Sequence, residues 1–240
     1  MPFTFSHPAI IIPLRKWFSF TGLIFGSMSP DFEYFLKMRI SNLHLHTFWG
    51  VFYFDLLISI IIAFIFHNII RNQLIKNLPD FFNSRFNHIN DFNWNKYFSK
   101  HWLIVIISII IGASSHIFWD SFTHDTGFFV KQIPFLQEKI SFRDYSFPVL
   151  KILQHFSTVI GALYIFYFIY KLPKNNSNSK FSKFNYWFSI FSLMIVFVVI
   201  KLWLQSFSIA IGNLIVSCIT CLFLAILLIS MINWKSYNIR

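Results

Sequence analysis

The sequence predicts an all-α, polytopic membrane helix bundle of about five spanning helices, preceded by a re-entrant or interfacial N-terminal helix. Three observations predict it. Only 12% of the 240 residues are charged, whereas 56% are hydrophobic and 34 are Phe. The mean hydropathy is +0.59, outside the range of soluble globular domains. Five apolar stretches, residues 48–70, 102–120, 152–171, 185–205 and 207–232, reach the roughly 20 residues that a bilayer crossing requires.

The N-terminal stretch imitates an export signal. Arg15 and Lys16 precede an apolar run at 17–26, and Ser27-Met28-Ser29 resembles a small-residue cleavage site. Pro30 would directly follow the cut and block it, and the run is too short to span. A retained helix is therefore expected here. Residues 71–101 read as a polar, Asn-rich connector with Arg71, Lys76, Arg85, Lys96 and Lys100. Residues 171–184 form a short polar loop with Lys171, Lys174, Lys180 and Lys183, and the tail adds Lys235 and Arg240. With these three segments in the cytoplasm, the N-terminal region lies outside and the C-terminus inside. Residues 1–170 then carry the chemistry, and 171–240 add two C-terminal transmembrane helices.

The net charge of +11 is spread over loops and span ends. It reads as a topology signal and as contact with lipid headgroups, not as a nucleic-acid surface. Cys218 and Cys221 fall inside the last span without partners, and are expected to be buried, inert thiols.

An ionisable side chain in a span costs about 3 kcal/mol on insertion scales, so polar residues there need a reason. Alternation of the spans collects Asp31, His44, His46, His116, Asp120, His124 and His155 on one side of the membrane, and a re-entrant N-terminal helix adds His7. His116, Asp120 and His124 are spaced four apart and share a helix face, drifting only about 40° per step. His116 and Asp120 can grip one ion together. His124 stands about 12 Å further along the axis from His116, which favours a second ion with Asp120 as the bridge. Imidazole with carboxylate suits zinc first, with manganese or iron as alternatives. Asp31 follows Ser29, read as an N-cap, and Pro30, read as the first helical residue. It occupies a first turn where the helix dipole favours an anion. His44 and His46 are two apart and cannot share a helix face, so one is a bystander. His67, His88 and His101 read as interfacial or loop residues. Asp55, inside a span, must face the protein interior. Trp49 and Trp119 read as interface anchors.

"MPFTFSHPAIIIPLRK", "GSMSPDFEYF", "HTFWG", "GASSHIFWDSFTH" and "LQHFSTVIGAL" occur in this order between residue 1 and about residue 165. Together they resemble the bacterial membrane-protein family catalogued as domain of unknown function 4184, which implies a bacterial cytoplasmic (inner) membrane. The pattern is more distantly similar to membrane-bound metal-dependent hydrolases and to the zinc-dependent phospholipase C superfamily. That resemblance implies metal-ligand roles for His7, Asp31, His46, His116 and Asp120, with His124 and His155 as further histidines. The superfamily carries Glu four residues after its last His, whereas Val159 stands there in this chain, so one or two ions fit better than three.

The resulting expectation is a membrane-embedded, metal-dependent hydrolase of a phosphoester, either a phospholipid or a lipid-linked phosphate. Asp31 is its candidate base, membrane lipid its partner and zinc its cofactor. The alternative is a metal-binding structural membrane protein without catalysis. A transporter is disfavoured, because the ionisable residues gather at one membrane face and do not line a path through mid-span.

Overall fold

The computed structural model describes residues 3–40, 47, 49–143, 145–175, 183–205 and 210–238. Among them a nine-residue helix, α1 (Phe20–Met28), precedes five helices long and apolar enough to cross a membrane. These are α2 (Val51–Asn77), α3 (Trp94–Asp120), α4 (Val149–Lys171), α5 (Lys183–Leu204) and α6 (Ile211–Ile232). The protein is a multi-pass helical membrane protein. Two compact units divide the chain. The first gathers Met1–Asp31, His44–Ile60 and His101–Lys171, and the second Phe32–Leu43, Ile61–Lys100 and Leu172–Arg240. They interleave in sequence, and the division expected near residue 170 coincides only with the last crossover, between Lys171 and Leu172.

In the first unit the chain enters through a 3-10 turn (Thr4–Ser6), a short helix (Pro8–Ile11) and a second 3-10 turn (Ile12–Lys16) before α1. Ser19 caps α1, its hydroxyl accepting from the Gly22 N–H at 3.4 Å. The Ser19 N–H in turn donates to the Ser108 hydroxyl of α3 at 2.9 Å. At 1.5 Å per residue α1 is about 13 Å long, far short of a crossing. Its backbone lies directly on that of α3. A Cβ on Gly26 would collide with the Ile109 backbone, and one on Gly112 with the Leu23 carbonyl and the Ser27 nitrogen. Small residues that let backbones touch are how helices associate where lipid removes the hydrophobic driving force.

Ser29 does not cap a new helix. Its backbone is helical (φ −63°, ψ −32°), and its hydroxyl donates to the Gly26 carbonyl at 2.9 Å. The chain therefore runs from α1 into a 3-10 turn, Ser29–Asp31, without leaving helical geometry. At the other end of this unit, the segment between α3 and α4 contains two strands that the helical reading did not foresee. β1 (Lys139–Phe142) and β2 (Tyr145–Pro148) pair antiparallel, with Ile140 opposite Phe147. Arg143 takes the left-handed turn position at φ 53°.

In the second unit α5 and α6 pack through Tyr186, Ile190 and Ala225. Cys218 and Cys221 on α6 are free thiols, Cys221 buried. The polar connector is largely helical. Arg71, only 6% exposed, donates to the carbonyls of Phe92 at 2.6 Å and Asn90 at 3.1 Å. Asn83 donates to the Ile75 carbonyl at 2.6 Å. These bonds satisfy backbone groups near the span end and let α2 continue to Asn77.

Candidate metal centre

Three segments of the first unit bring ionisable side chains together. His7 sits between the first 3-10 turn and the Pro8–Ile11 helix, Asp31 closes the turn after α1, and His116 and Asp120 occupy the last turn of α3. His7, Asp31, His116 and Asp120 are 4%, 0%, 0% and 3% exposed. His116 Nε2 lies 3.6 Å from Asp31 Oδ1 and 3.3 Å from Asp120 Oδ2, and His7 Nε2 lies 3.6 Å from Asp120 Oδ1. One donor atom each from His7, Asp31 and His116 fall within 4.8 Å of one another.

These separations are long for charge-assisted hydrogen bonds, which run to about 2.9 Å. They match two ligands bonded at about 2.1 Å to one tetrahedral ion, which lie about 3.4 Å apart. Charge points the same way. The His7 and His116 rings stack at 3.6 Å between centroids, 15° from parallel, so protonating both would press two cations together in a dry site. With the histidines not both charged, the two buried carboxylates retain negative charge that a divalent cation can neutralise. The residues present fit a zinc-type ion in donor type, spacing and charge.

Orienting contacts complete the cluster. His116 Nδ1 lies 2.7 Å from the Ser27 carbonyl, an acceptor only, so Nδ1 carries the proton and Nε2 faces the carboxylates. The Thr4 hydroxyl donates to Asp31 Oδ2 at 2.6 Å and leaves Oδ1 toward His116. Burial by itself would raise the Asp31 carboxyl. With no ion bound, a protonated His116 opposes burial and outweighs it, holding the group below the ordinary carboxylate range, and an ion at Nε2 would take the place of that proton.

His124 reaches the cluster by a turn, not along the helix. α3 ends at Asp120, the His124 N–H donates to the Asp120 carbonyl at 3.0 Å, and His124 Nδ1 donates to the same carbonyl at 3.1 Å while lying 3.6 Å from Asp120 Oδ1, which leaves Nε2 as the ring nitrogen open to a ligand. Asp120 Oδ1 thus faces both His7 and His124, while Oδ2 faces His116. The His124 side chain is 27% exposed, the open edge of an otherwise closed group. Asp55 is buried in a π-helical turn, Val51–Asp55, that packs against Ser29–Asp31. His155 is exposed on α4, where Gln154 and Ser157 turn inward instead. His44 and His46 lie outside the described residues.

Sequence reasoning missed Thr4, the Ser27 carbonyl and the helix contact that delivers it. The signal for the contact is the Gly22-x-x-x-Gly26 spacing in α1 with Gly112 opposite, a small-residue pattern of closely packed membrane helices. Thr4 leaves no such signal, because a threonine three residues before a histidine is common.

The family model described as domain of unknown function (DUF4184) matches residues 1–231, and the chain belongs to that family. No curated protein and no solved structure matches it.

Proposed function

We propose that this DUF4184 member is a membrane-embedded, metal-dependent hydrolase that cleaves a phosphoester at headgroup level, in a phospholipid or a lipid-linked phosphate. One observation carries the reading. Side chains from three separate segments converge at ligand spacing in the dry end of a membrane helix, with one edge open at His124. His7, Asp31, His116 and Asp120 would hold the first ion, and Asp120 with His124 the edge of a second. Zinc is the ion this donor set suits best, and other divalent metals share the preference. A bound ion supplies polarisation of the phosphoryl oxygen and a water acidified toward neutrality. Asp31 would both help hold the ion and accept the proton of the attacking water, with Thr4 fixing its carboxylate through Oδ2. The cluster lies at the end of α3, which brings a headgroup phosphate within reach. From the loop charges, this face is extracytoplasmic in a bacterial inner membrane and the C-terminus is cytoplasmic. Alkaline phosphatase fused after residue 240 should then be inactive, and an active fusion would reverse the orientation.

The direct test incubates the purified chain with phospholipid vesicles, with and without added zinc, and measures water-soluble phosphate. Zinc-dependent release that Asp31→Asn abolishes, with the fold intact, is expected. Equal release by Asp31→Asn would remove Asp31 from the reaction, and no release from any lipid phosphate would contradict hydrolysis.

One observation favours a second reading, in which the metal only staples the helices. His7, Asp31 and His116 are almost fully buried, as ligands of closed structural sites are. A zinc-loaded protein whose ion admits no exogenous anion by spectroscopy of its cobalt form would support it.

A further inference from the structure

The N-terminal segment enters beside α4 and leaves beside α3, and two series of contacts measure how far it travels in between. On the way in, the Phe3 N–H donates to the Thr158 hydroxyl at 3.1 Å, and the Ser6 hydroxyl donates to the Thr158 carbonyl at 3.0 Å. Further along, the Phe20 ring meets that of Phe168 at 5.9 Å, and the Arg15 guanidinium lies 4.7 Å from the centre of the same ring. Thr158 and Phe168 are ten residues of α4 apart, about 15 Å. On the way out, the Ser19 N–H bonds to Ser108 of α3 and the Ser27 carbonyl to His116. That is eight residues of α3, about 12 Å back toward the cluster. The segment is therefore a re-entrant hairpin, with His7 and Asp31 at its open end and Arg15, Lys16 and Trp17 at its bend.

The bend reaches the far end of α4. The Trp119 indole N–H donates to the Ser157 hydroxyl at 3.3 Å, which fixes the level of the cluster on this helix. Phe168 is about 16 Å beyond it and three residues short of Lys171, where α4 stops. Arg15, Lys16 and Lys171 are exposed there. No Asp or Glu occurs in residues 8–30 or 149–171, so neither the hairpin around the bend nor α4 supplies these cations with a carboxylate. Aromatic side chains surround them. Trp17 is 67% exposed, Tyr167 and Tyr170 are exposed on α4, and Lys171 Nζ lies 5.6 Å from the centre of the Tyr167 ring.

A cation in hydrocarbon is costly, and Arg and Lys near a span end extend their charge to the headgroups. Trp and Tyr collect at the same level. Three cations without an acid call for an anion, and at this depth the anion within reach is a lipid phosphate. Arg15 spends one N–H on the Ile12 carbonyl at 3.2 Å, and a guanidinium fork has further donors to place on two oxygens of one phosphate. A zwitterionic headgroup would bring its own ammonium into a group of three cations, which favours a headgroup of net negative charge.

We propose that Arg15, Lys16 and Lys171 form a binding site for the phosphate of an anionic phospholipid, in the leaflet opposite the His7–Asp120 cluster.

The test releases the full chain from nanodiscs of equal phosphatidylglycerol and phosphatidylcholine and counts the retained lipids by native mass spectrometry. Phosphatidylglycerol should exceed phosphatidylcholine severalfold in wild type. The ratio should fall to near one in a combined Arg15→Gln, Lys16→Gln, Lys171→Gln protein. Lys96→Gln with Lys100→Gln, which removes two exposed cations elsewhere, should leave it unchanged. A ratio near one in wild type, no change in the triple variant, or an equal fall in both variants would overturn the site. Depth is read separately, in a Cys218→Ser, Cys221→Ser background, with a membrane-impermeant maleimide on sealed vesicles of either orientation. Lys16→Cys should react from one side of the membrane and Asp125→Cys, exposed beside His124, from the other. Reaction of both from the same side, or no reaction at Lys16→Cys from either, would overturn the placement of the bend.

Discussion

The Nδ1 atom of His116 lies 2.7 Å from the carbonyl oxygen of Ser27, two residues that are 89 positions apart in the chain. This bond selects the tautomer of His116 and aims Nε2 between Asp31 and Asp120, the relation that ligating histidines have with their orienting acceptors. It exists only because α1 lies with its backbone against α3.

That dependence is open to test at Gly26. Even Gly26→Ala sets a Cβ against the Ile109 backbone, and the overpacking should cost about 1–3 kcal/mol. Thermal unfolding in detergent should show a lower Tm, and bound zinc should fall in step. A Gly26→Ala protein with wild-type Tm and metal content would show that the close approach is not needed.

Thr4 should act on the metal without touching it. Thr4→Val keeps the shape and removes the hydroxyl that donates to Asp31 Oδ2. Loss of such an orienting partner typically weakens metal affinity about 10–100-fold. Competition with a chromogenic chelator measures it, and Thr4→Ser should restore most of the affinity. Unchanged affinity in Thr4→Val would separate Thr4 from the site.

His124 and His155 should part company. His124 lies 3.6 Å from Asp120 Oδ1, whereas His155 is exposed on α4. His124→Ala is expected to lower the metal-to-protein ratio, and His155→Ala to leave it unchanged. Metal lost on His155→Ala would return that residue to the ligand set.

The cysteines should be dispensable for the metal. A Cys218→Ser, Cys221→Ser protein is expected to bind as much zinc as wild type, with only a modest loss of stability from placing a hydroxyl at the buried Cys221. Reduced zinc in this variant at full folding would make the pair part of a site.

The five spans were legible because apolar runs near 20 residues have few other uses, and of the side chains that span parity collected, the structure brings His7, Asp31, His116, Asp120 and His124 together. His116 and Asp120 were legible from helical spacing alone. His124 was foreseen on the same helix face, but α3 stops at Asp120 and a turn brings the ring back instead. α2 outran its expected end because Arg71 and Asn83 answer distant carbonyls, and no local pattern announces such bonds. The Thr4–Asp31 bond was hidden for the same reason: it joins residues through the tertiary fold and leaves no periodic trace.

The central claim is that the buried His and Asp cluster binds metal. Elemental analysis of the detergent-purified chain beside His116→Ala and Asp120→Ala, each matched for folding by circular dichroism and size exclusion, tests it most directly. One or two zinc ions per chain are expected in wild type, with loss of metal in both variants. Well-folded wild-type protein that holds no metal after zinc is supplied would contradict it, leaving the two histidines and two carboxylates as a buried ion-pair network that packs the helices.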